Sequence, residues 1–390
     1  MTERLYYTDC YLQEFHAKVV ETADDGRRVY LDRTAFYPTS GGQPFDLGTL
    51  GGIAVKEIVD EEDRVAHLVE KPLTAKEPGR DIEGRIDWSR RFDHMQQHTG
   101  QHLLSAVLLE LFKIPTASFH MSADASTIDI EAPALDTAKL ERVSLRCAEI
   151  VAEARPVSIA FEDSSTDLGL RKASQRTGTL RIVSIQNLDK SACGGTHVRS
   201  TAEIGPLLLR KVDKMRGNVR LEFVCGLRAL RQARQDFLLL EQLSRTLSVP
   251  PQQSVEIASA LTEKNKALEK TCQRLAAELA QREGRELYHS TSPDAAGIRR
   301  ATQRGSTDEA MRARAQGFVA QGKAVFLAVC DNPPSVLLAA SADSGVHAGD
   351  RIKAAVGAAG GRGGGNQGLA QGSVPSPDAL AQIVREISAA

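Results

Sequence analysis

The sequence predicts an α+β protein made of several domains, and three observations support this prediction. Short strand-like runs interrupted by Gly, Asp and Pro fill about the first 88 residues. A helical spacing of apolar residues begins at Trp88, and strand-like and helical segments alternate from there to about Gly226. The chain has 390 residues, which corresponds to two to four domains at about 100–200 residues each.

The N-terminal region, residues 1–88, is predicted to be a small β domain. Its strand-like segments follow one another at roughly 8–12 residues, a spacing that is typical of a small barrel or sandwich. These segments are residues 17–20, 28–31, 53–59 and 65–69.

Residues 89–226 form the predicted α+β domain, and its first element is a long helix that ends at Pro115. Residues 227–287 contain two predicted helices on either side of Pro250 and Pro251, and the second helix has apolar residues at heptad-like intervals. This pattern predicts a helical hairpin or coiled-coil linker that acts as a spacer or a dimer contact.

The last segment, residues 288–390, is predicted to be a small α/β domain. Two buried-looking strands, residues 324–329 and 335–340, precede a glycine-rich loop at residues 360–365. A final helix is predicted to start near Ser376, and we expect the glycine loop to be either very mobile or closely packed.

Composition and charge exclude several classes of protein. Asp and Glu number 50 against 49 Lys and Arg, so any surface that binds nucleic acid must be local. The N-terminus lacks the regions of a secretory signal, and the longest apolar stretches fall short of the roughly 18 residues of a membrane helix. The six cysteines are scattered without disulfide-like spacing, which favours a cytoplasmic protein whose functional cysteines bind metal or catalyse.

Histidine supplies the sharpest chemical signal. His94, His98 and His102 follow one another at four-residue intervals on one face of the predicted helix. Residues four apart on a helix lie above one another, so either neighbouring pair could bind one metal ion. The alternative is a polar helix face without metal, and spacing alone does not choose between the two pairs.

The second signal is the segment Cys193-Gly-Gly-Thr-His197, in which a thiol and an imidazole are again four positions apart. Its two glycines let the backbone fold both side chains toward one point. Three imidazole nitrogens and one sulfur suit tetrahedral Zn²⁺. We therefore predict a zinc site in preference to two unrelated features, a polar helix face and a glycine turn.

At these residues the chain resembles a known family. The run His94-Met-Gln-Gln-His98-Thr-Gly-Gln-His102-Leu-Leu and the run Cys193-Gly-Gly-Thr-His197-Val are similar to motifs of the editing domain of alanyl- and threonyl-tRNA synthetases. The layout resembles free-standing alanyl-tRNA editing proteins, the AlaX family in its long form, with a barrel before the editing domain and no aminoacylation domain. Further resemblances to the barrel, the editing domain and the C-terminal domain of alanyl-tRNA synthetase lie in residues 36–44, 201–205, 220–226 and 360–365.

The resemblance implies a zinc-dependent hydrolase that deacylates mischarged tRNA(Ala), with serine as the main misplaced amino acid and glycine as a second one. It implies that His98, His102, Cys193 and His197 bind the zinc and form the catalytic centre, and it gives His94 a supporting or RNA-facing role. Four protein ligands are more typical of a structural site. Two interpretations therefore stay open: Cys193 or His98 loosens when water or substrate enters, or the protein is a non-catalytic tRNA-binding protein with a structural zinc.

The resemblance also implies contacts with the substrate. Thr116 matches the position that contacts the serine hydroxyl, and Ser118 and His120 would share its face of a strand. For His120 the favoured alternative is an exposed strand position without a role in binding. Gln43 and Gly42 are predicted to approach the tRNA end, with a simple hairpin turn as the alternative. A homodimer through the helical hairpin or the C-terminal domain is expected, and no contact with a membrane. The predicted tRNA contacts are Arg216, Arg220, Lys211, Lys214 and, in the glycine loop, Arg362.

Overall fold

The computed structural model confirms a mixed α+β protein. It describes residues 1–73, 77–215 and 217–388, and the chain divides into two compact units, Met1–Gln242 and Leu243–Ala390. Each unit contains hydrophobic cores of its own. None of the helices in the described ranges combines the length and the hydropathy that a membrane crossing requires.

Eight strands lie within residues 1–73 and 77–86. Six of them pair in the order β2-β3-β7-β6-β5-β8, and the last strand returns to pair with the first, so they form a closed antiparallel barrel. The remaining two, β1 and β4, pair in parallel. In chain order the strands are β1 (Glu3–Arg4), β2 (Glu14–Ala23), β3 (Arg28–Leu31), β4 (Arg33–Thr34), β5 (Gly48–Leu50), β6 (Ile53–Glu61), β7 (Arg64–Val69) and β8 (Asp81–Ile86).

A long helix, α1 (Trp88–Phe112), follows the barrel as predicted. The Asp87 carboxylate caps it by accepting a hydrogen bond from the Arg90 N–H at 3.2 Å, and Lys113 ends it in the left-handed conformation. The elements that follow in this unit are β9 (Thr116–Met121), β10 (Ser126–Ile130), α2 (Thr137–Ala152), β11 (Val157–Asp163), β12 (Thr179–Ile185), β13 (Asp189–Ala192), β14 (Leu207–Lys214), β15 (Val219–Cys225) and the start of α3 (Gly226–Leu247).

These elements pack around α1. Strands β14, β15, β10 and β9 form a four-stranded sheet in that order, and β11, β12 and β13 form a second sheet. Helices α1 and α2 share one core with the four-stranded sheet, in which Leu104, Val143, Ile128 and Phe223 are fully buried. The sheet therefore covers the apolar side of α1, the helix that carries the three histidines.

The barrel and α1 are joined by a buried ion pair. Arg91 and Asp46 are both 0% exposed, and the guanidinium of Arg91 also donates to the backbone carbonyls of Cys10 and Ala35. An uncompensated charge at this depth would be strongly destabilising. The orientation of the barrel on α1 is thus fixed by a charge pair whose guanidinium donates five hydrogen bonds to four acceptor atoms.

Strand β9 contains a bulge that overturns one expectation. Ile130 pairs with Thr116 and Asp129 pairs with Ser118, so the register shifts by one residue between them. Ile130 and Asp129 point to opposite faces of β10, and their partners do the same. Thr116 therefore does not share a face with Ser118, and the prediction of one common face was wrong because the extra residue, Ala117, resets the alternation.

The second unit has a five-stranded sheet with the order β16-β17-β18-β20-β19. Helices α4 and α5 pack very closely, because a Cβ atom on Gly284 would lie 2.0 Å from the Arg314 carbonyl oxygen. The two helices predicted around Pro250 are present as α3 and α4, whereas their pairing as a hairpin stays a prediction. The elements are α4 (Ser254–Ser290), β16 (Arg299–Arg304), α5 (Glu309–Val319), β17 (Ala324–Asp331), β18 (Pro334–Ala340), α6 (Ala348–Ala358), β19 (Arg362–Gly365), β20 (Leu369–Ser373) and α7 (Pro377–Ser388).

The predicted glycine loop is largely a strand. Residues Arg362–Gly365 form β19, which pairs antiparallel with β20 at the edge of the sheet. A Cβ atom on Gly363 would lie 2.8 Å from the Gly372 Cα, and one on Gly365 would lie 2.2 Å from the Leu369 carbonyl oxygen. The loop prediction was wrong because these glycines serve close approach of two backbones rather than a turn, which agrees with the expected close packing.

Candidate metal centre

Four of the predicted site residues converge in the first unit. One ligand atom each from His98, His102, Cys193 and His197 lies within 4.8 Å of all the others, and the group could hold a metal ion. The first two residues lie one turn apart on α1, and the other two lie in the segment after β13. His94 is not part of this group, so the structure brings together the pair His98 and His102 rather than His94 and His98.

The Nδ1 atom of each imidazole contacts a neighbouring side chain, and the Nε2 atoms of two imidazoles lie near the Cys193 sulfur. The Cys193 Sγ atom lies 3.4 Å from Nε2 of His98 and 3.3 Å from Nε2 of His197. Nδ1 of His102 donates to the Asp189 carboxylate at 2.9 Å. Nδ1 of His197 lies 3.1 Å from the Thr99 hydroxyl. Such contacts on the far ring nitrogen are what orient metal-binding histidines.

His98 is oriented by a residue of the barrel region. Its Nδ1 atom lies 2.8 Å from the Gln43 Oε1 atom, which also accepts a hydrogen bond from the Thr196 N–H at 3.1 Å. The Gln43 amide nitrogen donates to the Thr196 hydroxyl at 2.8 Å. Because the Gln43 oxygen is an acceptor, Nδ1 of His98 carries the proton and Nε2 keeps its lone pair.

The turn that carries Cys193 needs glycine. A Cβ atom on Gly195 would lie 2.1 Å from the His98 ring, so any side chain there would displace the imidazole. The Gly195 N–H donates to the Cys193 Sγ atom at 3.4 Å, and the Arg181 guanidinium donates to the carbonyls of both residues. The position of the sulfur therefore depends on backbone contacts that only glycine permits.

The charges around the centre favour an ionised sulfur. Burial opposes ionisation of the Cys193 thiol, but the nearby imidazoles of His98 and His197 outweigh it and lower the pKa of the thiol well below its ordinary value. Burial also opposes the charge on His102, yet its hydrogen bond with Asp189 raises the pKa of His102 to about 9. For His197, burial dominates and lowers the pKa to about 3.

The donor set fits zinc. Three imidazoles and one thiolate are the ligands of Cys-His zinc sites, and the three histidines are each no more than 3% exposed. The Nε2 atoms of His98 and His197 lie 3.4 Å and 3.3 Å from the Cys193 sulfur, and Zn–N and Zn–S bonds of about 2.0–2.3 Å would bridge that separation. These four residues would hold the ion.

The substrate residues predicted from the sequence lie in different surroundings. Thr116 faces α1 and donates to the Ser105 hydroxyl at 2.7 Å, whereas Ser118 donates to the Asp129 carboxylate at 2.7 Å on the other face of the sheet. His120 is exposed. Gly42 has a φ of +84° and lies against β9, where a Cβ atom would approach the Phe119 carbonyl oxygen to 2.6 Å.

The predicted tRNA contacts are spread over both units. Arg220 forms an ion pair with Asp129 at 2.7 Å, and Lys211 forms one with Asp213 at 2.9 Å. Lys214 is exposed at the end of β14. Arg362 is exposed on β19 in the second unit, and Arg216 lies outside the described residues.

Several residues of the centre were not predicted from the sequence. Asp189 stands two and four positions before Ser191 and Cys193, a strand-like alternation that places all three on one face and could have signalled its role. Thr99 follows His98 directly, which carries no periodic signal.

His94 is 3% exposed, its Nδ1 atom has no hydrogen-bond partner in the described chain, and burial lowers its pKa to about 3.

Comparison with known proteins identifies relatives of this chain. A family model described as the threonyl and alanyl tRNA synthetase second additional domain matches residues 180–222. The alanyl-tRNA editing protein AlaX-L of Pyrococcus horikoshii is 30% identical over 99% of this chain and 98% of that protein. The alanyl-tRNA editing protein Aarsd1 of Bos taurus is 30% identical over 70% of this chain and 62% of that protein. An alanine–tRNA ligase of Pyrococcus abyssi is 32% identical over 72% of this chain and 32% of that protein.

Proposed function

The chain belongs to the family of alanyl-tRNA editing proteins in the long AlaX form, and from this premise we propose that it removes misplaced amino acids from tRNA(Ala) by ester hydrolysis in trans. Serine is the proposed main substrate, and glycine is the second. A synthetase pocket that accepts alanine rejects such near-isosteres by only about 1–3 kcal/mol, so a separate hydrolytic site is needed. We also propose that the chain has four domains: a β-barrel (1–88), a zinc-binding editing domain (89–226), a helical hairpin linker (227–287) and a C-terminal α/β domain (288–390).

One observation carries the proposal. Three imidazoles and one thiol converge within 4.8 Å, and each imidazole has a separate partner for its Nδ1 atom. This orientation leaves the Nε2 atoms and the sulfur free to bind one ion, which we propose to be zinc. When bound, zinc supplies Lewis-acid chemistry that polarises a carbonyl or lowers the pKa of a water.

The protein groups around the centre have roles that follow from their contacts. Asp189 and Gln43 fix the rings of His102 and His98, so the ligands need little rearrangement when substrate arrives. Thr116 donates a hydrogen bond to Ser105, which lies on α1 three residues after His102. We propose that Thr116 contacts the hydroxyl of the misplaced serine. Besides the two imidazoles, the Cys193 sulfur is held by the Gly195 N–H at 3.4 Å. Cys193 is the one of the four ligands that is only partly buried, and it is the one we propose to loosen.

The proposed tRNA contacts are Arg220, Lys211, Lys214, Arg216 and Arg362. Arg220 and Lys211 already pair with carboxylates, so binding a phosphate there would require those pairs to open. Lys214 is exposed and makes no ion pair with any residue in the described ranges. Of the proposed contacts described in the first unit, Lys214 is therefore the most available. A homodimer through the helical hairpin or the C-terminal domain stays a prediction.

A second candidate is a non-catalytic tRNA-binding protein with a structural zinc. The observation that favours it is the set of four buried donors, because catalytic zinc sites usually have three protein ligands and an open position. Under this interpretation, the native chain has no deacylase activity, and removal of the metal would only lower its stability.

The experiment measures zinc content and the deacylation of Ser-tRNA(Ala) on the native chain and on two variants. His102→Ala removes a proposed ligand, and His16→Ala removes an exposed histidine of the barrel as a control. We expect hydrolysis by the native chain and by His16→Ala, and loss of both zinc and hydrolysis in His102→Ala. A native chain that binds zinc and Ser-tRNA(Ala) without hydrolysing it would support the structural alternative.

A further inference from the structure

The connection between β11 and β12 is longer than the two strands require. It consists of residues 164–178, which contain turns and bends but neither a helix nor a strand. The two strands pair antiparallel, and about two to five residues are enough to join such a pair. Loops of this length without secondary structure of their own are uncommon in compact domains and are usually functional or linkers. Most of the 164–178 segment is thus not needed to close the hairpin.

The 164–178 segment is attached to the sheet near its middle. Leu168 is buried against Leu180 and Ile182 of β12, in a small apolar cluster of its own. Three residues further on, the Arg171 N–H donates a hydrogen bond to the Lys190 carbonyl of β13 at 2.8 Å. The segment therefore folds back over β12 and reaches β13, the strand that precedes Cys193.

The side chain of Arg171 connects this segment to the metal centre. Its Nε atom donates to one oxygen of the Asp189 carboxylate, Oδ1, at 2.7 Å, and a terminal nitrogen donates to the Ser191 hydroxyl at 3.2 Å. The other carboxylate oxygen, Oδ2, accepts the hydrogen bond from Nδ1 of His102. The ion pair is shielded from water, because the side chains of Arg171 and Asp189 are 14% and 0% exposed. Arg171, Asp189 and His102 therefore form one continuous chain of contacts that ends at a proposed zinc ligand.

We propose that Arg171 is a positioning residue of the metal centre and that it couples docking of the 164–178 segment to zinc binding, an inference that rests on the zinc site of the proposed function. By holding Oδ1 of Asp189, Arg171 sets the direction of Oδ2 and hence the orientation of the His102 ring. Conversely, a ring that is held at Nε2 fixes the carboxylate to which Arg171 is attached. Because coupling between two binding events is reciprocal, zinc binding and docking of the segment stabilise each other.

Position and charge predict opposite effects of removing Arg171. A cation repels a divalent cation bound nearby, so an effect of charge alone would make zinc bind more tightly once Arg171 is neutralised. Loss of the contact that directs Asp189 would instead make zinc bind more weakly. The next residue, Lys172, has the same charge but donates to the Ala117 carbonyl at 3.3 Å and makes no contact with Asp189 within the described ranges. It therefore provides a matched control for the change in charge.

The first measurement is the zinc affinity of the full chain, determined by competition with a chelator for the native protein and three variants. Arg171→Gln should weaken zinc binding by about tenfold, the lower end of the range for partners that orient a metal ligand. Arg171→Lys keeps the charge but can replace only one of the two contacts, so its affinity should lie between those of the native chain and Arg171→Gln. Lys172→Gln should bind zinc as tightly as the native chain. Equal or tighter binding by Arg171→Gln would overturn the inference.

The second measurement is hydrogen exchange of the backbone amides in residues 164–178, with and without zinc. Reciprocity predicts that zinc slows their exchange in the native chain by about the same tenfold factor. The effect of zinc should be preserved in Lys172→Gln and should disappear in Arg171→Gln. Exchange that is insensitive to zinc in the native chain would overturn the coupling, even if Arg171→Gln bound zinc weakly for another reason such as incomplete folding.

Hydrolysis of Ser-tRNA(Ala) by the same preparations separates this inference from the proposed function. A native chain that binds zinc without hydrolysing the ester would contradict the proposed deacylase, and the zinc affinities and exchange rates would still decide the role of Arg171. A native chain that hydrolyses the ester without binding zinc would support the deacylase and would overturn the inference together with the zinc site.

Discussion

Gln43 is the residue whose replacement tests the metal centre most directly without removing a ligand. It belongs to the barrel region and is 0% exposed, yet its side chain contacts His98 and Thr196 across the junction with α1. Gln43→Met keeps the length of the side chain and removes both its donor and its acceptor. The change therefore deletes three hydrogen bonds with little change in packing volume.

The magnitude follows from the groups that lose a partner. The N–H of Thr196 and Nδ1–H of His98 would stay buried without an acceptor, and each such donor costs about 1–3 kcal/mol. The free energy of unfolding should fall by about 2–6 kcal/mol. Loss of a partner that orients a metal-binding histidine typically weakens metal affinity by about 10–100-fold, so we expect that range for zinc.

Zinc affinity is measured by competition with a chromogenic chelator at pH 7.5, and the free energy of unfolding of the metal-free chain by urea titration. Gln13→Met, at an exposed position of the same region, is the matched control and should leave both quantities unchanged. If Gln43→Met bound zinc as tightly as the native chain, the contact with His98 would not be what orients this ligand, and the reasoning would be refuted.

Three further predictions concern stability. Asp46→Ala should lower the free energy of unfolding by about 3–5 kcal/mol in urea titration, because it leaves the Arg91 charge buried without its partner. Gly42→Ala should cost at least about 1–2 kcal/mol in thermal unfolding, because φ is +84° and the new Cβ meets the backbone of β9. Burial lowers the pKa of His67 from its ordinary value to about 4. As the pH falls, the unfolded chain therefore binds this proton before the folded chain does. Urea titrations should show the free energy of unfolding decreasing by about 3 kcal/mol in total between about pH 6.5 and pH 4.

Each of these predictions has its own control. Glu21→Ala breaks the exposed pair with Arg64 and should cost less than about 1 kcal/mol; a similar cost for Asp46→Ala would contradict the role of burial. Gly52 has a φ of +79° and open space around it, so Gly52→Ala should cost less than Gly42→Ala. His67→Gln should flatten the acid limb of the stability curve, and an unchanged limb would assign it to other groups.

The elements with a local signal were predicted well. The helix α1 has a capping Asp87, a helical spacing of its histidines and a closing Pro115, all within one segment of sequence. The paired Cys193 and His197 are also a local pattern, since two glycines between them permit the turn.

What the sequence did not show depends on contacts between distant segments. Gln43 lies 55 positions from His98, and Asp189 lies 87 positions from His102, so no periodicity relates either partner to its histidine. The segment around Gly363 was assigned to a loop because glycine is common in turns, while its role in close strand pairing depends on β20, which follows later in the chain. Backbone proximity of this kind becomes visible only once the sheet is formed.

The bulge at Ala117 has a consequence for reading the sequences of relatives. Two homologues can have the same hydroxyl residues along this strand and still present them on opposite faces of the sheet, if one of them lacks the additional residue. Counting residues from the last histidine of the helix would then equate positions that never meet the same ligand. A change in amino-acid preference between relatives could thus arise from a one-residue insertion or deletion, with every side chain in the strand retained.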